Sequence, residues 1–276
     1  MNHDFDNKKI AFIGAGNMSR SIIGGMVGNQ FPPANVIAAN PTLDKLDALN
    51  KDFEISTTQD NLQAVKDADM VVLSVKPQMM ATVCEQLSEL GEQLNDKLFV
   101  SLAAGVTCER IKTLLGQDVP MIRCMPNTPA LYGKGVSGLF ASGASQTQQA
   151  FAEYVMKATG LVVWVDKEQK IDAITAISGS GPAYFFMFME AMVDKAQQLG
   201  FDEQTARQLV QHTASGAATM VEHSDESIAV LRQKVTSKGG TTAAALSVYS
   251  EQGLPAMVDD AMQAACDRAH EMATTL

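Results

Sequence analysis

Apolar residues along this chain fall into two regimes. Up to about residue 165, short uninterrupted apolar runs alternate with stretches whose apolar positions recur every three or four residues. The runs at 9–13, 36–39, 69–75, 98–102, 121–124, 136–140 and 161–165 read as strands. Helical spacing fills the intervals at 18–27, around Leu43, Leu46 and Leu49, and at 79–90 and 109–115. Apolar strands alternating with helices predict an α/β fold on a mostly parallel, doubly wound sheet.

Beyond that point no strand pattern remains. Segments 170–177, 182–199, 203–222, 226–235, 241–251 and 255–273 all read as helices. Pro182 suits a first helical turn, and Gly200 suits the close of the same helix. The expected organisation is therefore two domains, an α/β domain over 1–166 and an all-helical one over 167–276. Within the second, YFFMFM (184–189) is apolar on every face, and such a helix must be buried on every face. A helical domain of that size has little interior, so this helix is expected either in a subunit interface or at the centre of a bundle.

Charge and cysteine usage narrow the class. With 21 Lys and Arg against 31 Asp and Glu, the net charge is −10, and the longest basic run is Lys8-Lys9. Such a surface repels polyphosphate chains, so no nucleic-acid partner is expected. No stretch approaches the length of a membrane span, and the polar segment 1–6 lacks the pattern of a secretion signal. Cys84, Cys108, Cys124 and Cys266 form no CxxC pair and have no His at metal-ligand spacing. They read as reduced thiols of a cytoplasmic protein, with no metal site.

The first chemical signal is Gly14-x-Gly16-x-x-Ser19, directly after the first strand and opening a helix. There the first glycine permits a tight turn and the second lets a pyrophosphate approach the backbone, where the helix N-terminus offers free N–H groups. Ser in the third position is small enough to preserve helix–sheet packing. Gly14, Ala15, Gly16, Asn17 and Met18 are thus candidate dinucleotide contacts. The second strand ends in VIAANPT (36–42), with no carboxylate at its tip. NAD-selective sites place Asp or Glu there. Its absence, with Asn40 and Thr42 as donors and Arg20 or Lys45 as nearby charge, favours NADPH over NADH. Two later loops, Val75-Lys76-Pro77 and 103–107 (AAGVT), follow strands and are expected at the same rim.

The second signal lies at 235–242 (VTSKGGTT), ahead of a strong helix former. Consecutive amides and the hydroxyls of Ser237, Thr241 and Thr242 can form a nest for a small carboxylate. Equally, Thr or Ser there can cap the helix with no ligand.

Over nearly its whole length the sequence resembles the pyrroline-5-carboxylate reductase family. The resemblance rests on FIGAGNM (12–18), VKP (75–77), AAGVT (103–107), RCMPNTPA (123–130), SGSGPAY (178–184) and TSKGGTT (236–242). It implies a Rossmann-type N-terminal domain and an all-α C-terminal dimerisation domain whose helices interlock with a second chain, with five dimers forming a decamer as the larger assembly. It implies an active site between the cofactor of one chain and the helical domain of its partner. Gly240, Thr241 and Thr242 would hold the substrate carboxylate and ring nitrogen, with Ser237 on the same loop and Glu168 and Asp225 near the substrate. Asn40, Asn61, Val75, Lys76, Pro77, Ala103 and Ala104 would meet the cofactor, and Asn127 would lie near the nicotinamide. The family loop usually carries Pro where this chain has Lys238.

The activity implied is NADPH-dependent reduction of the C=N bond of Δ1-pyrroline-5-carboxylate to L-proline, the last step of proline biosynthesis. No His lies in any of these loops, so the ring nitrogen is expected to be protonated on arrival or at the site, oriented by Thr242. Three other readings compete. A β-hydroxyacid dehydrogenase needs a lysine on an interdomain helix, and neither Lys170 nor Lys195 has the right context. A reductase of six-membered imines would use the same loop, and a non-catalytic NADPH sensor would show no turnover.

Overall fold

A computed structural model describes residues 5–275; of the polar segment 1–6, residues 1–4 lie outside the described residues. The chain begins with β1 (Ile10–Ile13), α1 (Asn17–Gly28), β2 (Val36–Ala39), α2 (Leu43–Phe53), β3 (Ser56–Thr58) and α3 (Asn61–Lys66). It continues through β4 (Met70–Leu73), α4 (Met80–Ser88), β5 (Leu98–Ser101), α5 (Cys108–Leu115) and β6 (Met121–Met125). Then come β7 (Gly135–Ser142), α6 (Gln146–Lys157), β8 (Gly160–Trp164) and α7 (Lys170–Ile174). A π-helical turn, Thr175–Gly179, leads into α8 (Gly181–Gln198), α9 (Glu203–Glu222), α10 (Ile228–Lys234), α11 (Thr241–Glu251) and α12 (Leu254–Thr275).

The strands form one sheet in the order β3-β2-β1-β4-β5-β6-β7-β8. Pairing is parallel from β3 through β6; β7 runs antiparallel to β6, and β8 parallel to β7. The strand order reverses between β1 and β4, so their carboxyl ends open the crevice where ligands of such sheets bind. This is a Rossmann-type doubly wound sheet.

Alternation along the buried strands divides the core in two. Ile10 and Phe12 of β1 pack with Ile22 and Met26 of α1, Leu46 and Leu49 of α2, and Phe151 and Val155 of α6. Ala11 and Ile13 face Val65 of α3, Leu87 of α4, and Ile111 and Leu115 of α5. Fully burying one such aliphatic side chain contributes about 1.5–3 kcal/mol. Helix starts are locally encoded. Asp60 caps α3, Thr107 caps α5, and Ser145 forms a reciprocal capping box with Gln148 at α6.

Several expectations change. β3 and α3 have no counterpart in the apolar pattern, because STT (56–58) is a short, polar edge strand. The strand expected over 69–75 is only Met70–Leu73, and the helix expected from 79 begins at Met80 after a 3-10 turn, Pro77–Met79. The helix expected over 170–177 divides into α7 and the π turn, where Ser180 N–H bonds the Thr175 carbonyl.

By compactness the chain divides at Ser180/Gly181. One unit runs to Ser180 and takes in the chain again from Ala265; the other is Gly181–Ala264. In the second unit α8 packs along α9, whose Ala206 and Val210 are buried. The YFFMFM stretch is not enclosed by its own chain: Phe185 is 72% and Met187 75% exposed. Leu199, Ile228 and Met257 are exposed as well. So much uncovered apolar surface marks a contact face. Among the described residues no helix is long and apolar enough to cross a membrane.

Candidate active site

Gly14 sits at φ +106° after β1, a conformation that L side chains rarely adopt. A Cβ there would lie 2.5 Å from the Ser74 carbonyl oxygen beyond β4. The glycine therefore lets the first turn close against the neighbouring strand end. Gly16 differs. It is the N-cap of α1 with extended backbone (φ −82°, ψ −179°), and, its chain neighbours aside, a Cβ there would meet nothing within 4 Å among the described residues. No side chain caps α1 and no acid lies in its first turn, so the open space faces bare amides. That combination fits a pyrophosphate. The third motif position does more than stay small. The Ser19 side chain is fully buried; its hydroxyl donates to the Gly14 carbonyl at 2.6 Å and lies 2.8 Å from the Ser74 hydroxyl. Ser19 thus staples the glycine turn to the end of β4. Ser74 has no motif of its own, and the signal that points to it is its place at the end of a buried strand.

Asn40 follows β2. Its Oδ1 accepts from the Ala15 N–H at 3.3 Å and its Nδ2 donates to the Thr42 carbonyl at 3.3 Å, so it braces the glycine loop. Thr42, the N-cap of α2, leaves that helix without a side-chain cap, and the tip of β2 carries no carboxylate. Arg20 is committed elsewhere: it pairs with Asp52 and lies over the Phe53 ring, 5.1 Å from its centroid. Lys45 is exposed on α2. Asn61 opens α3 and donates to Gln86 Oε1 at 2.9 Å. Val75, Lys76 and Pro77 leave the carboxyl end of β4, with Lys76 exposed. Ala103 and Ala104 leave the carboxyl end of β5; in the same loop a Cβ at Gly105 would lie 2.7 Å from Met272 Cβ of α12.

A buried charge cluster lies beneath this rim. The Arg123 side chain of β6 is 2% exposed; its Nη2 donates to Asp172 Oδ1 at 2.8 Å and its Nη1 approaches Glu168 Oε1 at 3.4 Å. The same Glu168 oxygen accepts the Cys108 N–H, the first of α5, at 2.8 Å. A charge within the apolar strand MIRCM was the available signal for Arg123, a role that motif reading did not assign. The Asn127 amide is also engaged: Nδ2 donates to the Ser178 carbonyl at 2.9 Å, and Oδ1 accepts from Val136 N–H at 2.8 Å. It ties the end of β6 to β7 and to the π turn. Burial, with the Glu168 charge, pushes the Cys108 thiol up to about 12; burial beside Glu85 does the same for Cys84. These thiols are held in the unreactive form.

In the helical unit, Ser237 to Gly240 form a turn closed by Gly240 N–H on the Ser237 carbonyl at 3.1 Å, with Gly239 at φ +74°. Gly240 is the N-cap of α11, which has no side-chain cap and no acid in its first turn. Of the two readings of this loop, the side-chain cap is thus not formed. Thr241 and Thr242 are the first residues of α11 and are exposed, as are Ser237, Lys238 and Asp225.

A Rossmann sheet with a bare glycine turn at its switch point, joined in sequence to a helical unit with an uncovered apolar face, defines a dinucleotide-dependent oxidoreductase of the two-domain type. Residues 9–105 match the family pattern described as "NADP oxidoreductase coenzyme F420-dependent", and 168–272 match "Pyrroline-5-carboxylate reductase dimerisation". A pyrroline-5-carboxylate reductase of Vibrio alginolyticus is 49% identical, covering 97% of this chain and 98% of its own. A solved pyrroline-5-carboxylate reductase of Coxiella burnetii superposes with TM-score 0.91 at 43% identity, over 96% and 98% of the two chains. The Plasmodium falciparum pyrroline carboxylate reductase structure with NADP bound gives TM-score 0.86 at 26% identity, over 97% and 99%. The chain belongs to the pyrroline-5-carboxylate reductase family.

Proposed function

We propose that the protein reduces the C=N bond of Δ1-pyrroline-5-carboxylate to give L-proline, with NADPH as the reductant, the last step of proline biosynthesis. One observation carries the reading. Two helices, α1 and α11, each start at a glycine with no side-chain cap and no acidic first turn. The first follows a Rossmann strand and suits a diphosphate; the second stands among small hydroxyl residues and suits a small carboxylate.

When bound, NADPH supplies a hydride to the imine carbon. Gly14, Ala15, Gly16, Asn17 and Met18 seat its diphosphate, and the carboxylate-free tip of β2 with Asn40 and Thr42 accepts the extra phosphate without repulsion. Asn61, Val75, Lys76, Pro77, Ala103, Ala104 and Asn127 line or brace that seat. Ser237, Gly240 and Thr241 hold the substrate carboxylate through hydroxyls and amides. Asp225 lies on the substrate side, and its charge favours a protonated ring. The Thr242 hydroxyl orients the ring nitrogen. An iminium accepts hydride far better than a neutral imine, and no His lies in these loops, so the proton arrives with the substrate. Catalysis then comes mainly from positioning.

The uncovered face of α8 is the dimer contact, with residues 167–276 as the dimerisation and substrate-binding region and a decamer of five dimers as the full assembly. The protein works in the cytoplasm. NADPH oxidation at 340 nm with pyrroline-5-carboxylate, beside NADH and the six-membered imine, tests the activity. Turnover preferring NADPH and the five-membered ring supports it. A folded protein that binds NADPH without turnover overturns it in favour of a sensor. Light scattering on the eluting protein gives the assembly.

A further inference from the structure

We propose, on the footing of the NADPH-dependent reaction above, that Glu168 is a positioning residue for the dinucleotide rather than a contact for the imine. Its Oε1 holds the Cys108 N–H at 2.8 Å and is itself approached by Arg123 Nη1 at 3.4 Å. Cys108 is the first residue of α5 and directly follows the 103–107 loop at the carboxyl end of β5. A carboxylate at a helix start satisfies an orphan amide and is favoured by the helix dipole. Here it does so from 60 residues away in sequence, so the helix start is tied to the α7 end of the fold.

The geometry leaves the loop little freedom. On one side Gly105, at φ +71°, is packed so closely on Met272 that a Cβ would sit 2.7 Å from it. On the other side Glu168 grips Cys108. Arg123 fixes the grip in turn. A guanidinium this buried must be paired, and it shares its charge between Glu168 and Asp172. The rotamer of Glu168 is therefore set from β6 and passed to the loop through one amide. Asp172 pairs with the same guanidinium, while the Cys108 N–H is held by Glu168, which separates stability from positioning.

Three variants test this, each by NADPH titration of the protein without substrate, amide hydrogen exchange, melting temperature and steady-state kinetics. Glu168→Ala is expected to weaken NADPH binding roughly tenfold, the scale of one lost hydrogen bond to a charged group. Exchange at the start of α5 quickens, and the imine KM at saturating NADPH moves less than about twofold. Glu168→Gln, which keeps an acceptor for Cys108, restores most of the affinity. Asp172→Asn lowers the melting temperature while NADPH affinity stays. The proposal is overturned if Glu168→Ala raises the imine KM with NADPH affinity unchanged, or if Asp172→Asn weakens NADPH equally. Wild-type protein that fails to bind NADPH would instead remove the functional reading beneath it.

Discussion

One added methyl group, placed at Gly14 or at Gly16, distinguishes a glycine required by the fold from one required by the ligand. At Gly14 the backbone is held at φ +106°, and the new Cβ would meet the Ser74 carbonyl oxygen at 2.5 Å. The strained dihedral costs about 1–3 kcal/mol and overpacking against backbone about 1–3 kcal/mol more. Together they take a large share of a typical stability of about 5–15 kcal/mol. At Gly16 the backbone already suits alanine, and, its chain neighbours aside, nothing among the described residues lies within 4 Å of the new Cβ. The entropy gain of about 0.4–1 kcal/mol roughly offsets the weaker N-cap preference of alanine. Gly16→Ala is thus expected to melt like the wild type, while the methyl occupies the space above the α1 amides and lowers NADPH affinity tenfold or more, about 1.4 kcal/mol. Thermal melts with and without NADPH read both effects, since a ligand stabilises by RT ln(1 + [L]/Kd). Gly14→Ala melts early in both conditions; Gly16→Ala melts normally and loses the NADPH shift. A Gly16→Ala protein with an undiminished shift would refute the diphosphate seat.

Other outcomes follow from the same geometry. Thr242→Ala, at an exposed first-turn position, is expected to leave stability within about 0.5 kcal/mol and lower kcat/KM by one to two decades, about 1.5–3 kcal/mol; wild-type kinetics would remove Thr242 from the mechanism. Lys238 occupies the second position of the turn closed by Gly240 N–H, with Gly239 at positive φ, an arrangement that favours proline there. Lys238→Pro is expected to stabilise by about 0.4–1 kcal/mol and to flatten the rise of substrate KM with salt that a nearby cation causes; an unchanged salt profile would show that Lys238 does not face the substrate. Burial would raise the Asp69 carboxyl, but hydrogen bonds from Lys8 Nζ and Lys9 N–H, with the Lys8 charge, more than offset it and hold it below the usual range. Its folded-state pKa is depressed, so the stability it adds is complete above about pH 4 and is lost as pH falls through the folded value. Acid unfolding of Asp69→Asn should therefore show a shallower limb below about pH 4, and an identical limb would refute the linkage.

Much of the framework was legible locally. Buried strands such as β1 and β4 are apolar on both faces, so their runs and the glycine turn after β1 stand out without any partner in view. The bare loop at 236–242 was visible as small residues before a helix former, although sequence left open whether a side chain capped it. Less was legible where a residue's role depends on a distant contact. β3 is three polar residues that become a strand only by pairing with β2. The reversal of β7 against β6 leaves no mark in its apolar pattern.

The site divides along the same line. The motif assigns Gly14 to the turn and Gly16 to the approach of a ligand; only the fold supplies the Ser74 carbonyl that a Cβ at Gly14 would strike and the open space beside Gly16. Arg20 looked available for a phosphate, and Asp52 claims it. Asn127 stands out only as part of a motif, and the fold shows its amide bracing Val136 and Ser178. Local pattern by itself determined most of the buried strands, most of the helices and the glycine turn after β1, because propensity, capping and periodicity act over a few residues. Tertiary structure alone decided which polar groups are left for a ligand. Hydrogen-bond partners such as Glu168 and Cys108 are chosen by proximity in space, and a chain separation of 60 residues carries no trace of that choice in sequence.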